Sequence, residues 1–173
     1  MSTIHILIIN PNTTQSMTES LKSSISVPSD VTVDYFTAPQ SEGGIASINS
    51  PSDAHLSATH CLPHLLPLLD EDKYDGFLVA CYSEHPLVGI LATEIQAKKR
   101  KKRAHVIGIF EASVLTALGL LSSYPPSLKA KWGIVSTGKI WEEALSTGVT
   151  NFLGTQTSPT TFAGVETTGL FRG

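Results

Sequence analysis

Gly76-Phe77-Leu78-Val79-Ala80-Cys81 is a continuous apolar run that ends in a cysteine. A short run of this kind, without polar alternation, is typical of a strand that is buried on both faces. A helical pattern begins soon afterwards at Pro86 and continues to about Ala97. Because a buried strand followed by a helix is the repeating unit of a parallel sheet covered by helices, the stretch predicts an α/β fold.

The same alternation of strand and helix extends in both directions from this run. The other predicted strands are Ile4–Ile9, Val31–Thr37, Ala104–Phe110, Trp132–Ser136 and, more weakly, Phe162–Val165. The other predicted helices are Gln15–Ile25, Pro51–Leu69, Glu111–Ser122 and Ile140–Leu153. Pro63 and Pro67 are expected to bend or shorten the helix that contains them. Residues 38–52 are rich in Pro, Ser and Gly and predict a long loop, which is often a functional feature.

Composition narrows the class of protein. The chain has 173 residues, of which 41% are hydrophobic and 16% charged, with a formal charge of −3, so a globular protein is expected and a nucleic-acid partner is not. The first apolar run is too short for a signal sequence or a membrane span. The two cysteines do not form a disulfide framework, which favours a reducing, cytoplasmic location. The basic run Lys98–Arg103 is compatible with nuclear targeting, but a solvated turn is the preferred interpretation.

Polar and reactive residues follow several of the predicted strands. Asn10 and Asn12 follow the first strand, Cys81 ends the third, and Ser136-Thr137 end the fifth. In parallel sheets ligands bind at the carboxyl ends of strands. We therefore expect these residues to mark a site for a small molecule.

Cys81 stands just before a predicted helix N-terminus, where free backbone N–H groups and the helix dipole favour an anion. This position would favour a reactive thiolate. The alternative, a small buried hydrophobic residue at a strand end, is equally compatible with the residue types. Asn10 and Asn12 can recognise an amide or a carboxylate, although Asn is also an ordinary turn and cap residue.

Three further residues near these segments have ordinary structural explanations. His85 could donate or accept a proton, but a His before a Pro is more often a helix cap, and Glu84 suits a first helical turn. Cys61 lies in mid-helix and is interpreted as a core residue, since its surroundings lack the ligand set of a metal site. No phosphate-binding loop or G-x-G-x-x-G motif is present. The residues therefore predict neither a metal nor a nucleotide cofactor.

An ordered set of motifs resembles the Asp/Glu/hydantoin racemase family, especially its hydantoin and allantoin racemase branch. The opening Asn10-Pro11-Asn12-Thr13-Thr14 is followed by a loop that contains Gly43-Gly44-Ile45-Ala46-Ser47-Ile48. Ala80-Cys81-Tyr82-Ser83-Glu84-His85-Pro86 is similar to the first cysteine motif of fungal members. Val106–Ala112 and Gly133–Thr137 are similar to two later segments, so the resemblance covers nearly the whole chain.

The resemblance implies two similar Rossmann-like or flavodoxin-like lobes, here over residues 1–103 and 104–173, with the second lobe incomplete. It implies a cofactor-independent racemase or epimerase of a hydantoin-, allantoin- or amino-acid-like substrate, and it allows a homo-oligomer. Cys81 would be the thiolate or thiol that acts at the substrate Cα. The substrate-binding residues implied or suggested by position are Asn10, Asn12, Tyr82, Ser83, Ser136 and Thr137.

The sequence departs from the family pattern in its cysteines. The family uses two, one on each side of the substrate Cα, but no cysteine follows Cys81 in this chain, and Cys61 precedes it within a helix. A C-terminally truncated form is therefore expected. The alternatives are a binding protein or remnant without turnover, or a different one-cysteine enzyme of the same fold, such as a decarboxylase or a maleate-isomerase-like protein.

Overall fold

The computed structural model describes residues 3–41, 43–98 and 100–168. The chain divides into two compact units, Met1–Ile109 and Phe110–Gly173. The first unit therefore extends to Ile109. The reason is that the strand His105–Gly108 pairs with the sheet of the first unit.

The first unit is a four-stranded parallel sheet with connecting helices, which confirms the predicted α/β class. Its elements are β1 (Ile4–Asn10), α1 (Gln15–Ser24), β2 (Val31–Thr37), α2 (Pro51–Asp70), β3 (Gly76–Val79), α3 (Pro86–Ala97) and β4 (His105–Gly108). The strand order is β2-β1-β3-β4, and all three pairings are parallel. β3, the strand predicted from the apolar run, thus lies in the interior of the sheet.

Helix α2 packs one face into the core of this unit. Its buried residues recur at helical spacing and are Ala54, Ser57, Ala58, Cys61, Leu65 and Leu69. Pro63 and Pro67 lie on the exposed side, where the backbone carbonyls that each proline leaves without an N–H partner can meet water. The helix is therefore continuous over its 20 residues, and the expected shortening at the prolines does not occur.

The basic run is held in the structure by acidic residues that precede β3. Lys98 contacts Asp70 at 2.5 Å, Arg100 contacts Asp72 at 3.4 Å, and Lys102 contacts Asp75 at 2.7 Å. Arg100 also donates to the backbone carbonyls of the same segment, and its side chain is 5% exposed. Within the described part of residues 3–109, every Lys and Arg lies near the amino ends of the strands. These residues lie at the end of α1, before β3 or before β4.

The second unit has its own smaller core. It comprises α4 (Ile109–Leu121), a short 3-10 helix (Pro126–Leu128), β5 (Trp132–Ser136), α5 (Ile140–Phe152) and β6 (Phe162–Thr167). β5 and β6 form a parallel two-stranded sheet. The buried residues of the core are Phe110, Val114, Ile134, Leu145, Val149 and Phe162. Within the described part of the chain, no helix is long and apolar enough to cross a membrane.

Candidate functional site

The carboxyl ends of β1 and β3 lie side by side. The strands are in register at Ile9 and Val79, and the Ala80 N–H donates to the Ile9 carbonyl at 2.8 Å. The loop after β1 and the loop that contains Cys81 therefore leave the sheet at the same edge, as predicted for these two strands. This edge of the first unit is the candidate site.

Asn10 shapes the loop after β1 with its whole amide group. Its Oδ1 accepts the Asn12 N–H at 3.1 Å, and its Nδ2 donates to the Thr14 carbonyl at 3.2 Å and to Thr18 Oγ1 at 3.0 Å. Thr18 Oγ1 lies 2.6 Å from Oγ1 of Thr37 at the end of β2. Since Asn10 is 2% exposed and these partners use its donors, its contacts favour a role in positioning the loop.

Asn12 retains more capacity for a ligand than Asn10. Its Oδ1 accepts the Thr14 N–H at 2.9 Å, while its Nδ2 donates to Sδ of Met17 at 3.3 Å. A thioether sulfur is a weak acceptor, and an amide nitrogen carries two N–H groups. Asn12 is therefore the better suited of the two asparagines to donate to a substrate oxygen.

The loop between β2 and α2, residues 38–50, packs directly on the loop after β1. The Thr13 N–H donates to the Ile45 carbonyl at 2.9 Å, and Thr14 Oγ1 donates to the Ala46 carbonyl at 2.7 Å. A Cβ at Gly44 would lie 2.9 Å from the Pro39 carbonyl oxygen, so this close approach requires glycine. The long loop thus holds the β1 loop in place at the candidate site.

Helix α2 supports the same loop from the core side. Ser57 Oγ donates to the Pro11 carbonyl at 2.5 Å, and Cys61 Sγ lies 3.5 Å from the same oxygen. Cys61 is fully buried, and burial raises the pKa of its thiol to about 11. Cys61 is therefore a core residue, as expected, and a poor acid–base group at neutral pH.

Cys81 lies two residues beyond the end of β3, half-buried and outside any disulfide. Its Sγ is 3.3 Å from Oγ of Ser83, which is 4% exposed. A hydroxyl that donates to sulfur stabilises the thiolate relative to the thiol. Tyr82, between them, is 41% exposed. The pair of Cys81 and Ser83 is therefore the candidate reactive pair of this edge.

His85 caps α3 with its own side chain. Its Nδ1 accepts the Leu87 N–H at 3.3 Å, its carbonyl accepts the Val88 N–H at 3.0 Å, and Pro86 has no N–H. The free N–H groups that we expected in the first turn of this helix are thus already used or missing. The imidazole is 2% exposed, and burial, assisted by the charge of His55, lowers its pKa to about 4.

Ser136 and Thr137 lie at the carboxyl end of β5, in the second unit. The Ser136 carbonyl accepts the Thr168 N–H at 3.0 Å, its residue is half-buried, and Thr137 is exposed. Their proposed contacts with a substrate remain predictions. In the described segments, no group of three or more His, Cys, Asp or Glu side chains is arranged to hold a metal ion.

Two contributors to this edge were not predicted as site residues. Ser57 lies within the helix predicted over Pro51–Leu69, where a serine four residues before a buried cysteine is a polar group on the core face. Thr18 occupies an equally buried position on α1. Both residues could have been found from the sequence, because each is a small polar side chain on a helix face that is otherwise expected to be apolar.

A family model described as Asp/Glu/Hydantoin racemase matches residues 6–169. An uncharacterized protein of Schizosaccharomyces pombe is 38% identical over 172 residues, which are 96% of this chain and 62% of that protein. Protein DCG1 of Saccharomyces cerevisiae is 28% identical over 151 residues, which are 83% of this chain and 57% of that protein. The chain therefore spans less than two thirds of the length of these relatives.

A solved structure has a similar fold. Allantoin racemase from Klebsiella pneumoniae matches with a TM-score of 0.66 and 22% sequence identity, over 95% of this chain and 58% of that chain. At this identity the similarity concerns the fold, which is α/β with a parallel sheet and covering helices.

Proposed function

The chain belongs to the Asp/Glu/hydantoin racemase family, and we propose that it moves a proton at the Cα of a hydantoin-, allantoin- or amino-acid-like substrate without a cofactor. The observation that carries this proposal is the pairing of Cys81 with Ser83 at the carboxyl edge of the sheet. A thiol beside a buried hydroxyl is suited to serve as a base for a carbon acid.

The chemical step needs one base and a place for the negative charge. The Cys81 thiolate takes the proton from Cα and becomes a thiol. The electron pair of the broken C–H bond moves toward the adjacent carbonyl, whose oxygen becomes an enolate oxygen. Donors that are already aimed at this oxygen lower the barrier, because they need no reorganisation as charge develops.

Asn12 and the backbone around Tyr82 and Ser83 are the proposed donors to the substrate from the first unit. The Asn12 Nδ2 atom has only a thioether as acceptor among its described contacts. Ser136 and Thr137, at the carboxyl end of β5, are the other residues that we propose to bind substrate. Asn10 is a positioning residue, because its amide holds the loop that presents Asn12.

Racemisation also needs a proton donor on the opposite face of Cα. Cys61 is unsuited to this role because it is fully buried, contacts the Pro11 carbonyl and has a raised pKa. The step that we assign to the described residues is therefore removal and return of the proton by Cys81.

Hydrogen–deuterium exchange tests this assignment. Each enantiomer of allantoin and of a 5-substituted hydantoin is incubated with the protein in deuterated water. Loss of the Cα proton signal is followed by NMR and loss of optical rotation by polarimetry, both above buffer alone. We expect exchange that disappears in Cys81→Ser and persists in Cys61→Ser, the matched control.

The outcomes separate the alternatives. Exchange of one enantiomer without loss of optical rotation indicates Cys81 acting as a lone base. Exchange with racemisation indicates a complete two-base site. Binding without exchange indicates a non-catalytic binding protein, and full activity of Cys81→Ser would overturn the proposal.

A further inference from the structure

The His85 imidazole is a buried hydrogen-bond donor that lacks an acceptor in the described structure. The residue is 2% exposed, and its Nε2 atom is shielded from solvent without a hydrogen-bond partner. A buried polar group without a hydrogen-bond partner destabilises the folded state. The helix cap uses only Nδ1, so Nε2 has no part in capping.

Hydrogen bonding determines which nitrogen carries the proton. Nδ1 accepts the Leu87 N–H, so in the neutral ring it is the unprotonated nitrogen. The single proton is then on Nε2. Because the pKa is lowered to about 4, the ring is neutral at physiological pH and Nε2–H is a donor without a formal charge.

The position of this donor suits the proposed reaction. His85 lies in the same loop as Cys81, four residues later, and begins α3 at the carboxyl edge of the sheet. Helix α3, which His85 begins, packs against α2, and the charge of His55 on α2 contributes to the lowered pKa of His85. That half of α2 also holds the loop after β1 through Ser57 and Pro11. The elements around His85 are thus those that form the candidate site.

We propose that His85 is a second catalytic residue, whose Nε2–H donates a hydrogen bond to the substrate carbonyl oxygen while Cys81 removes the Cα proton. This inference rests on the proposed function. The proton from Cα goes to the Cys81 sulfur, the C–H electron pair passes into the Cα–carbonyl bond, and the carbonyl π pair goes to the oxygen. His85 keeps its proton throughout, and the intermediate is a neutral imidazole hydrogen-bonded to an enolate.

A neutral imidazole at a helix N-terminus can polarise a substrate carbonyl during enolisation. Its pKa lies low, so it donates to the carbonyl oxygen without being an imidazolium at the start of the reaction. Loss of one donor to a developing oxyanion typically lowers the rate about 10²–10³-fold. Because Nε2 is shielded from solvent, its contact with the carbonyl oxygen requires the surrounding side chains to move when the substrate binds.

Two substitutions separate the donor from the helix cap. In His85→Asn, the side-chain oxygen can accept the Leu87 N–H in place of Nδ1, since Asn is a strong N-cap residue, but nothing replaces Nε2–H. In His85→Gln, the longer amide can place an N–H near the position of Nε2. We expect exchange at Cα to fall at least 100-fold in His85→Asn, with unchanged folding, and to recover partly in His85→Gln.

The tautomer provides an independent measurement. Nitrogen-15 NMR of the imidazole should show Nε2 protonated and Nδ1 unprotonated at pH 7, with the Nε2 signal shifting when a hydantoin is added. Protonation of Nδ1 instead, or exchange in His85→Asn within threefold of the wild type, would overturn the inference and leave the role of Cys81 intact. A wild-type protein without exchange or binding would overturn both proposals.

Discussion

A Cβ at residue 44 would lie 2.7 Å from Cγ2 of Thr13, so Gly44 and Thr13 fix the distance between two loops of the site. Thr13 belongs to the loop after β1, and Gly44 belongs to the loop that precedes α2. Real Cβ atoms do not approach other heavy atoms this closely. The long loop is therefore a tightly packed wall of the candidate site rather than a simple connection.

Gly44→Ala should lower the free energy of unfolding by about 1–3 kcal/mol, the usual cost of an added methyl group in a packed region. The new Cβ would also meet the Pro39 carbonyl at 2.9 Å, so adding Thr13→Ser restores only part of the loss. Urea denaturation measures the effect. Gly89→Ala is the control, because that helical position has nothing within 4 Å and should gain about 0.5–1 kcal/mol. Equal effects of the two changes would contradict the tight contact.

Ser57→Ala removes the short hydrogen bond to the Pro11 carbonyl. The Cys61 sulfur at 3.5 Å is a weak replacement, so the protein should lose about 1–3 kcal/mol of stability. Any Cα exchange should also fall, because the loop that presents Asn12 loses its support. Thr59→Ala on the exposed side of the same helix is the control, and it should leave both quantities nearly unchanged.

His85 should make stability depend on pH over a defined range. Its pKa is about 4 in the folded protein and 6.5 in the unfolded chain, so the unfolded state binds the proton more readily. The neutral His85 contributes roughly 3 kcal/mol to the free energy of unfolding, relative to acidic pH. This contribution is complete above pH 6.5 and is lost as the pH falls toward 4. Urea denaturation from pH 7.5 to 4.5 measures it. The wild type should lose stability relative to His85→Asn as the pH falls through this range; parallel curves would exclude this contribution.

Arg100→Lys should destabilise the first unit although it preserves charge. The guanidinium of Arg100 donates to the Leu69 and Tyr74 carbonyls and contacts Asp72, and an ammonium group cannot reproduce this fork of donors. A loss of about 1–3 kcal/mol in the free energy of unfolding is expected. Arg103→Lys, at an exposed position of the same run, should stay within about 0.5 kcal/mol. Thermal unfolding of both variants side by side compares them.

The strands and helices could be predicted because apolar periodicity reports burial directly. The end of β3 was harder to predict from the sequence. The apolar run predicts a strand through Cys81, but the register with β1 ends at Val79. The Ala80 N–H still donates to the Ile9 carbonyl, so backbone contact with β1 continues one residue beyond the end of the strand. Likewise, α4 begins at Ile109, where the sequence alone continued the strand to Phe110.

The hydrogen-bond assignments of the site lay beyond sequence reasoning. Asn10 and Asn12 are the same residue type two positions apart, yet one is used by its own loop and the other retains a weakly paired donor. The basic run likewise depends on acidic residues that lie about thirty positions earlier. Such pairings are set by the three-dimensional arrangement, whereas local patterns predict only that a polar residue needs some partner.

The concentration of cationic side chains near the amino ends of the strands also bears on how a substrate of the proposed reaction would reach the first unit. The four residues of β4 separate these charges from the opposite edge by about 13 Å, which exceeds the screening length of about 8 Å at physiological ionic strength. The first unit therefore gives an approaching anion little long-range guidance toward Cys81. The contribution of the first unit to the encounter rate should then change little when salt is added.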